Sequence, residues 1–296
     1  MGIRILIRLI RFLSVLPLKW LHRIGWLVGR LFALIPNRER WVTEVNLRLC
    51  FPQLSDAERA SLRNRSLEQA GRTLLEMAAI WFWPTERVLK MVNSVTGLEH
   101  LQRDPAQGLI VLAPHLGCWE IAGLFLATQG ELVSLYRPPK QPELEPIIKA
   151  ARERSGAQLV PTDGSGVKQL YRALQSGGIT GILPDQQPDS DRGSVFAPFF
   201  GVPALTMLLI NRLVRKTGAK VVFCYAERLS GGQGFKIHYR PAPEGLDASD
   251  PVVAGTALNR GIESCISHCP DQYQWSYKRF KDQPAGSRSP YHRKRA

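Results

Sequence analysis

The 296-residue chain predicts an α/β fold, a mixed central sheet flanked by helices and preceded by an N-terminal amphipathic, membrane-associating helical segment. Three observations carry this expectation. From Val95 onward, short apolar runs alternate with helical stretches, the pattern of a sheet covered on both faces. At this length, a composition of 44% hydrophobic residues can bury a sizeable core. The first 34 residues contain no acid at all.

Residues 1–40 form the N-terminal segment. On a helical wheel Arg4, Arg8, Arg11, Lys19, Arg23 and Arg30 fall within roughly 120°, and the remaining face is Ile, Leu, Phe, Val and Trp. The longest run free of Lys, Arg and His is seven residues, 12–18, against the roughly 20 needed to span a bilayer. Pro17 kinks or divides the segment. Such a helix is expected in the membrane interface, with Trp20 and Trp26 at headgroup depth and the arginines on anionic lipid of the cytoplasmic leaflet. A single short anchor is the other arrangement the segment allows. A signal peptide is not expected, because charges interrupt any apolar region and no small-residue cleavage site follows.

Residues 41–282 are expected to form the α/β domain. Residues 55–83 read as a helix opened by a Ser55-x-x-Glu58 capping box and closed by Trp81, Phe82 and Trp83, as core or as a second membrane-facing patch. Strands are expected at 109–113, 131–136, 158–161, 179–183, 220–226 and 235–239, and helices at 119–128, 142–155, 166–175, 206–217 and 251–268. The tail, 283–296, is polar, basic and expected to be mobile.

A formal net charge of +14 points to a polyanionic partner: membrane, nucleic acid, or an acidic substrate or carrier. Nucleic-acid binding is the rival reading from another class. It requires basic residues interleaved with stacking aromatics inside the folded domain, whereas the densest apolar-basic stretch is the N-terminal amphipath, so no nucleic-acid partner is expected. Five scattered cysteines imply no disulfide framework. Cys265-x3-Cys269 with His268 lacks a second ligand pair, and neither a metal nor a cofactor is expected.

His115 and Glu120 stand where an apolar run gives way to a second apolar segment. Spacing alone also fits a structural histidine near a helix start. Within one straight helix, positions five apart lie roughly 140° around the axis and do not meet. The two pair only if His115 sits in a loop and Glu120 in the first turn of the following helix, an arrangement that Pro114 and Gly117 favour. His115 then serves as general base and Glu120 as the group that orients it, with helix N-terminal N–H groups near a developing oxyanion or a phosphate. Loops beyond the strand ends also carry Arg137, Asp163 and Pro184-Asp185-Gln186. No nucleophile elbow, P-loop or dinucleotide fingerprint accompanies the pair; Asp163-Gly164-Ser165-Gly166-Val167 comes nearest to an elbow. The base therefore acts on a substrate hydroxyl or on water, and membrane placement favours a lipid hydroxyl.

His115-x4-Glu120 after a buried strand resembles the first motif of the glycerolipid and lysophospholipid acyltransferase superfamily. Leu135-Tyr136-Arg137-Pro138, Pro184-Asp185-Gln186, Phe196-Ala197-Pro198-Phe199-Phe200-Gly201 and Trp275-Ser276-Tyr277-Lys278-Arg279-Phe280 resemble its bacterial lipid A late-acyltransferase branch, across about residues 5–282. The resemblance implies a glycerolipid acyltransferase-like fold and a fatty acyl chain carried on acyl carrier protein. That chain would pass to a hydroxyl of a phosphorylated lipid A precursor at the cytoplasmic face of the inner membrane. It implies His115 and Glu120 as catalytic residues, with Arg137, Arg154, Asp185 and Gln186 as substrate-binding or site-organising residues. Phe196, Phe199 and Phe200 would line an acyl tunnel or be plain core. Pro184-Asp185-Gln186 stands where glycerolipid enzymes of the superfamily carry a Glu-Gly-Thr-Arg-type phosphate motif, which disfavours a glycerol-phosphate acceptor. Another glycolipid or aminolipid acceptor is the second enzymatic reading, and a membrane hydrolase a third.

Overall fold

The structure, a computed structural model, describes residues 2–188 and 193–292. Pro17 separates helices α1 (Gly2–Leu13) and α2 (Leu18–Leu34). Helix α3 (Arg38–Cys50) begins at Asn37, whose side chain accepts from the Arg40 N–H. Helix α4 (Asp56–Phe82) opens with both halves of the expected capping box, and α5 (Thr85–Leu89) follows it. The α/β part then runs β1 (Val92–Thr96), β2 (Leu109–Leu112), α6 (Trp119–Leu126), β3 (Leu132–Tyr136), α7 (Glu145–Glu153), β4 (Gln158–Pro161), α8 (Gly164–Gln175) and β5 (Ile179–Ile182). It continues through β6 (Ser194–Phe199), β7 (Val202–Met207), α9 (Leu209–Thr217), β8 (Lys220–Arg228), β9 (Phe235–Pro241) and α10 (Pro251–Ile266).

Seven strands form one sheet in the order β1-β9-β8-β2-β5-β3-β4, parallel throughout except at β8–β9. Strand β2 lies at its centre with all four residues buried, as a parallel strand covered on both faces must be. Alternation splits it between two apolar layers. Ile110 and Leu112 join Phe223, Leu213 and Ile262 on one face, while Leu109 and Val111 join Val222, Ile80, Ile121 and Leu21 on the other.

The expected strands and helices form with small shifts at their ends, and five elements were not anticipated: α3, α5, β1, β6 and β7. The helix expected at 206–217 starts at Leu209, because Thr206 and Met207 pair with Val195 and Ser194 in the antiparallel β6–β7 hairpin. The stretch 142–155 divides into a 3₁₀ turn, Pro142–Leu144, and α7. Phe199 is fully buried and Phe200 packs against Phe51 and Trp275, so both belong to the core. Trp83 is also buried, its indole N–H donating to the Ser14 carbonyl. The tail expected to be mobile is anchored in its described part. Tyr291 is buried, donates its hydroxyl to Asn46 and accepts from the Phe280 N–H, while residues 293–296 lie outside the described residues.

No helix among the described residues is long and apolar enough to cross a membrane. Helix α2 instead crosses α4 at backbone contact. A Cβ at Gly29 would stand 2.2 Å from the Leu67 carbonyl oxygen, and one at Gly71 would stand 2.1 Å from that of Gly25. Leu18 and Leu21 of α2 thereby enter the core, while Ile5, Leu9, Phe12, Val15, Trp20, Leu27 and Leu31 stay exposed.

Beneath this crossing lies a fully buried ion pair. Arg228, at the end of β8, grips both carboxylate oxygens of Glu76 on α4, and His22 on α2 bonds the same carboxylate at 2.9 Å. Arg228 also donates to Gln69 and Thr73 of α4. Burial alone would raise the Glu76 carboxyl, but Arg228 and His22 outweigh it and hold the pKa at about 2. The folded value lies below the ordinary 4.5, so this stabilisation is complete above about pH 4.5 and is lost as pH falls toward 2. Arg228→Met should lower the unfolding free energy by about 3–5 kcal/mol in urea titrations, since it strands a buried carboxylate. Glu76→Gln should flatten the acid limb of stability between pH 4.5 and 2; an unchanged limb would assign the pair no share in acid unfolding.

Candidate active site

Strands β2 and β5 are parallel neighbours in register, Leu112 opposite Ile182. Three residues beyond each lie His115 and Asp185, so equal runs of chain leaving adjacent strands bring the two together at the carboxyl edge of the sheet. The contact is a double one. His115 Nδ1 lies 2.9 Å from Asp185 Oδ1, and the His115 backbone N–H donates to Oδ2 at 3.1 Å. The Tyr273 hydroxyl donates to the same carboxylate. Burial by itself would raise the Asp185 carboxyl, but the His115 ring and these hydrogen bonds carry it below its ordinary value. An ionised Asp185 accepts from Nδ1–H, which leaves Nε2 with its lone pair outward. There the Gln186 amide N–H reaches it at 3.2 Å, and the same amide lies 3.4 Å from the Gln274 side-chain oxygen.

The expected contact between Glu120 and His115 is replaced by this one. His115 does sit in the loop and Glu120 in the first turn of α6, as the pairing required. The Glu120 carboxylate, however, points across to α7, where Arg152 grips both of its oxygens. Burial would raise Glu120, and the Arg152 charge more than offsets this, so the carboxyl titrates below its ordinary value. Between the two acids lies Trp119, its ring centroid 4.9 Å from that of His115 and its side chain hydrogen-bonded to Glu120. The loop's turn depends on Gly117, at φ +62°, where a Cβ would stand 1.9 Å from the Ala226 carbonyl oxygen. Its N–H is held by the Gln272 carbonyl, and the His115 carbonyl accepts from the Gln274 N–H.

Of the other residues singled out from sequence, Asp185 and Gln186 both touch His115. Arg154 donates to the Ile80 and Trp81 carbonyls at the end of α4, satisfying helix-terminal oxygens. Arg137 is exposed directly after β3. Asp163 caps α8 through the Ser165 and Gly166 N–H groups. Arg152 and Tyr273 escaped the sequence reading: nothing in Arg152-Glu153-Arg154 tells which guanidinium faces α6, and Tyr273 arrives from the far end of the chain. Cys265 and Cys269 are buried free thiols outside the one group of potential metal ligands among the described residues, Glu227, His238 and His268, whose ligand atoms lie within 4.8 Å.

An apolar cavity of about 320 Å³ opens beside the loop, between Phe32, Leu67, Leu74 and Met77 on the helices and Trp119 and Gln274 at the site. A base held by a buried carboxylate, with a hydrocarbon-lined space next to it, suits chemistry on the hydroxyl of an amphiphile.

Comparison with known proteins agrees in extent. Residues 2–282 match the family model described as bacterial lipid A biosynthesis acyltransferase. The chain is 30% identical over 279 residues to the lipid A biosynthesis lauroyltransferase of Escherichia coli K12, covering 93% of this chain and 90% of that one. It is 30% identical, with the same coverage, to the palmitoleoyltransferase of that strain and 27% identical over 277 residues to its myristoyltransferase. The chain therefore belongs to the bacterial lipid A biosynthesis acyltransferase family and is an acyltransferase.

Proposed function

We propose that this enzyme moves a fatty acyl chain from acyl carrier protein to a hydroxyl of a lipid A precursor, a secondary acylation, with His115 as the base. The observation that carries the reading is the Asp185–His115 hydrogen bond, which fixes the tautomer and turns Nε2 toward a reacting group. His115 Nε2 takes the acceptor hydroxyl proton as the oxygen bonds to the thioester carbonyl carbon. The carbon–sulfur bond then breaks, and the imidazolium returns the proton to the departing thiolate. Asp185 supports the imidazolium throughout. Glu120 acts one layer away: bound to Arg152 and Trp119, it fixes the start of α6 and the face of Trp119 that packs on His115. Gln186, which bonds Nε2, gives up that contact to the acceptor hydroxyl.

The exposed apolar side chains of α1 and α2 support interfacial binding at the cytoplasmic face of the inner membrane, where acyl carrier protein and precursor meet. Anionic lipid is the partner of the α1 arginines, Arg4, Arg8 and Arg11. Burying a large apolar side chain contributes about 1.5–3 kcal/mol.

Four outcomes are expected. In a strain whose only copy is His115→Ala, mass spectrometry of lipid A should show one secondary acyl chain missing, with the protein still in the membrane fraction; an unaltered lipid A profile refutes the assignment. Asp185→Asn should lower kcat by on the order of 10³- to 10⁴-fold at nearly unchanged KM, by analogy with loss of the orienting carboxylate in Ser-His-Asp enzymes. Glu120→Gln should lower thermal stability and activity together; a fully stable Glu120→Gln enzyme with the larger kcat loss would return the orienting role to Glu120. Finally, Phe12→Ser with Val15→Ser should weaken partition onto phosphatidylglycerol vesicles by about tenfold or more in flotation assays.

A further inference from the structure

The largest cavity among those described lies on the other side of Gln272 from the apolar one. It has a volume of about 700 Å³ and is walled by α2, α4 and the turn after β8. Five cations line it: Lys19 and Arg23 from α2, Arg65 and Arg72 from α4, and Arg228. Three acids line it too, but each is engaged elsewhere. Glu68 pairs with Arg30, Glu227 with His238, and Asp271 accepts from Gln69. Arg228 is satisfied by Glu76, and Arg65 donates to Ser61. Among the described residues, the side chains of Lys19, Arg23 and Arg72 make no hydrogen bond or salt bridge, although Arg23 lies over the Trp20 ring. Arg72 is the telling one: it is half-buried beside Arg228, and burial first and that second positive charge next destabilise its guanidinium by more than the nearby charges of Glu68, Asp271 and Glu76 offset, while none of these acids pairs with it directly. A desolvated, unpaired guanidinium is costly unless an anion completes it.

Position selects the anion's carrier. The cavity opens along α2, where Trp20, Leu27 and Leu31 stand exposed and Trp26 forms part of its wall. Gln272 lines both cavities and holds the Gly117 N–H, so the basic space adjoins the catalytic loop through a single residue. An amphiphile with a charged head in one cavity and an acyl chain in the other would lie against the His115 loop. We propose that the basic cavity seats a phosphate group on the sugar head of the lipid acceptor, held by Lys19, Arg23 and Arg72, and so orients the acceptor at the site. This inference rests on the acceptor reading above.

The test uses the full-length enzyme with acyl-carrier donor and two acceptors, a phosphorylated acylated glucosamine disaccharide and its phosphatase-treated form. For Arg72→Gln, and more so for Lys19→Gln/Arg72→Gln, KM for the phosphorylated acceptor should rise about tenfold or more with kcat little changed, the loss expected for a charge-assisted contact. On the phosphate-free acceptor, variants and wild type should be equal, and Arg72→Lys should recover part of the loss. An unchanged KM, or an equal loss on both acceptors, overturns the proposal. So does an equal loss of binding to phosphatidylglycerol vesicles without acceptor, which would assign the cavity to bilayer headgroups. If wild type transfers to neither acceptor, the acceptor reading itself has failed. The cavity is then judged by calorimetric titration with inorganic pyrophosphate: saturable binding lost in Arg72→Gln upholds an anion site, and its absence in wild type refutes one.

Discussion

The pairing of Arg228 with Glu76 is the constraint around which this molecule is arranged. Two opposite charges sit buried, and each is tolerable only because the other is in place. The pair joins the end of a sheet strand to the last third of the longest described helix, and His22 draws α2 into the same contact. Arg228 also reaches the Gly117 carbonyl at 3.4 Å, so the bond that seats the helices touches the loop carrying His115. Wall and catalytic loop thus share one anchor, and neither cavity beside the site would have its shape without it.

Much of this was legible in the chain. The strand-to-loop setting of His115 follows from an apolar run broken by Pro114 and Gly117, and the Ser55–Glu58 capping box announced α4 unaided. What could not be read was the identity of the carboxylate that holds the histidine. Glu120 is near in sequence, but Asp185 is near in space, and only the adjacency of β2 and β5 in the sheet order reveals it. Sequence distance misleads here because parallel neighbours must be joined by a crossover, and these two are separated by two other strands and three helices. The same limit hid Arg152 and Tyr273, whose partners are set by how helices and loops face one another.

Other misreadings arise where a contact with another part of the chain overrides a local tendency. Thr206 and Met207 carry a helix-like apolar pattern into α9, yet cross-strand pairing with β6 takes them first. The basic tail resembles a mobile terminus in composition, but Tyr291 finds Asn46 and the aromatic face of Trp41. In each case a long-range contact outweighs a correct local tendency. The N-terminal segment divides along the same line: one face of α2 is interior, packed through glycines, and the exposed apolar remainder is left for a surface the chain does not itself supply.

Because His115 and Asp185 each lie three residues past paired positions on adjacent strands, the two loops are locked to a common length. Adding or removing one residue in either would offset base from carboxylate by a residue's rise, about 3.3 Å, more than a hydrogen bond can absorb. Drift in loop length should therefore be forbidden at this edge while remaining open at the opposite end of the sheet. Over evolutionary time, insertions would collect at that opposite end and not between these strands and their paired side chains.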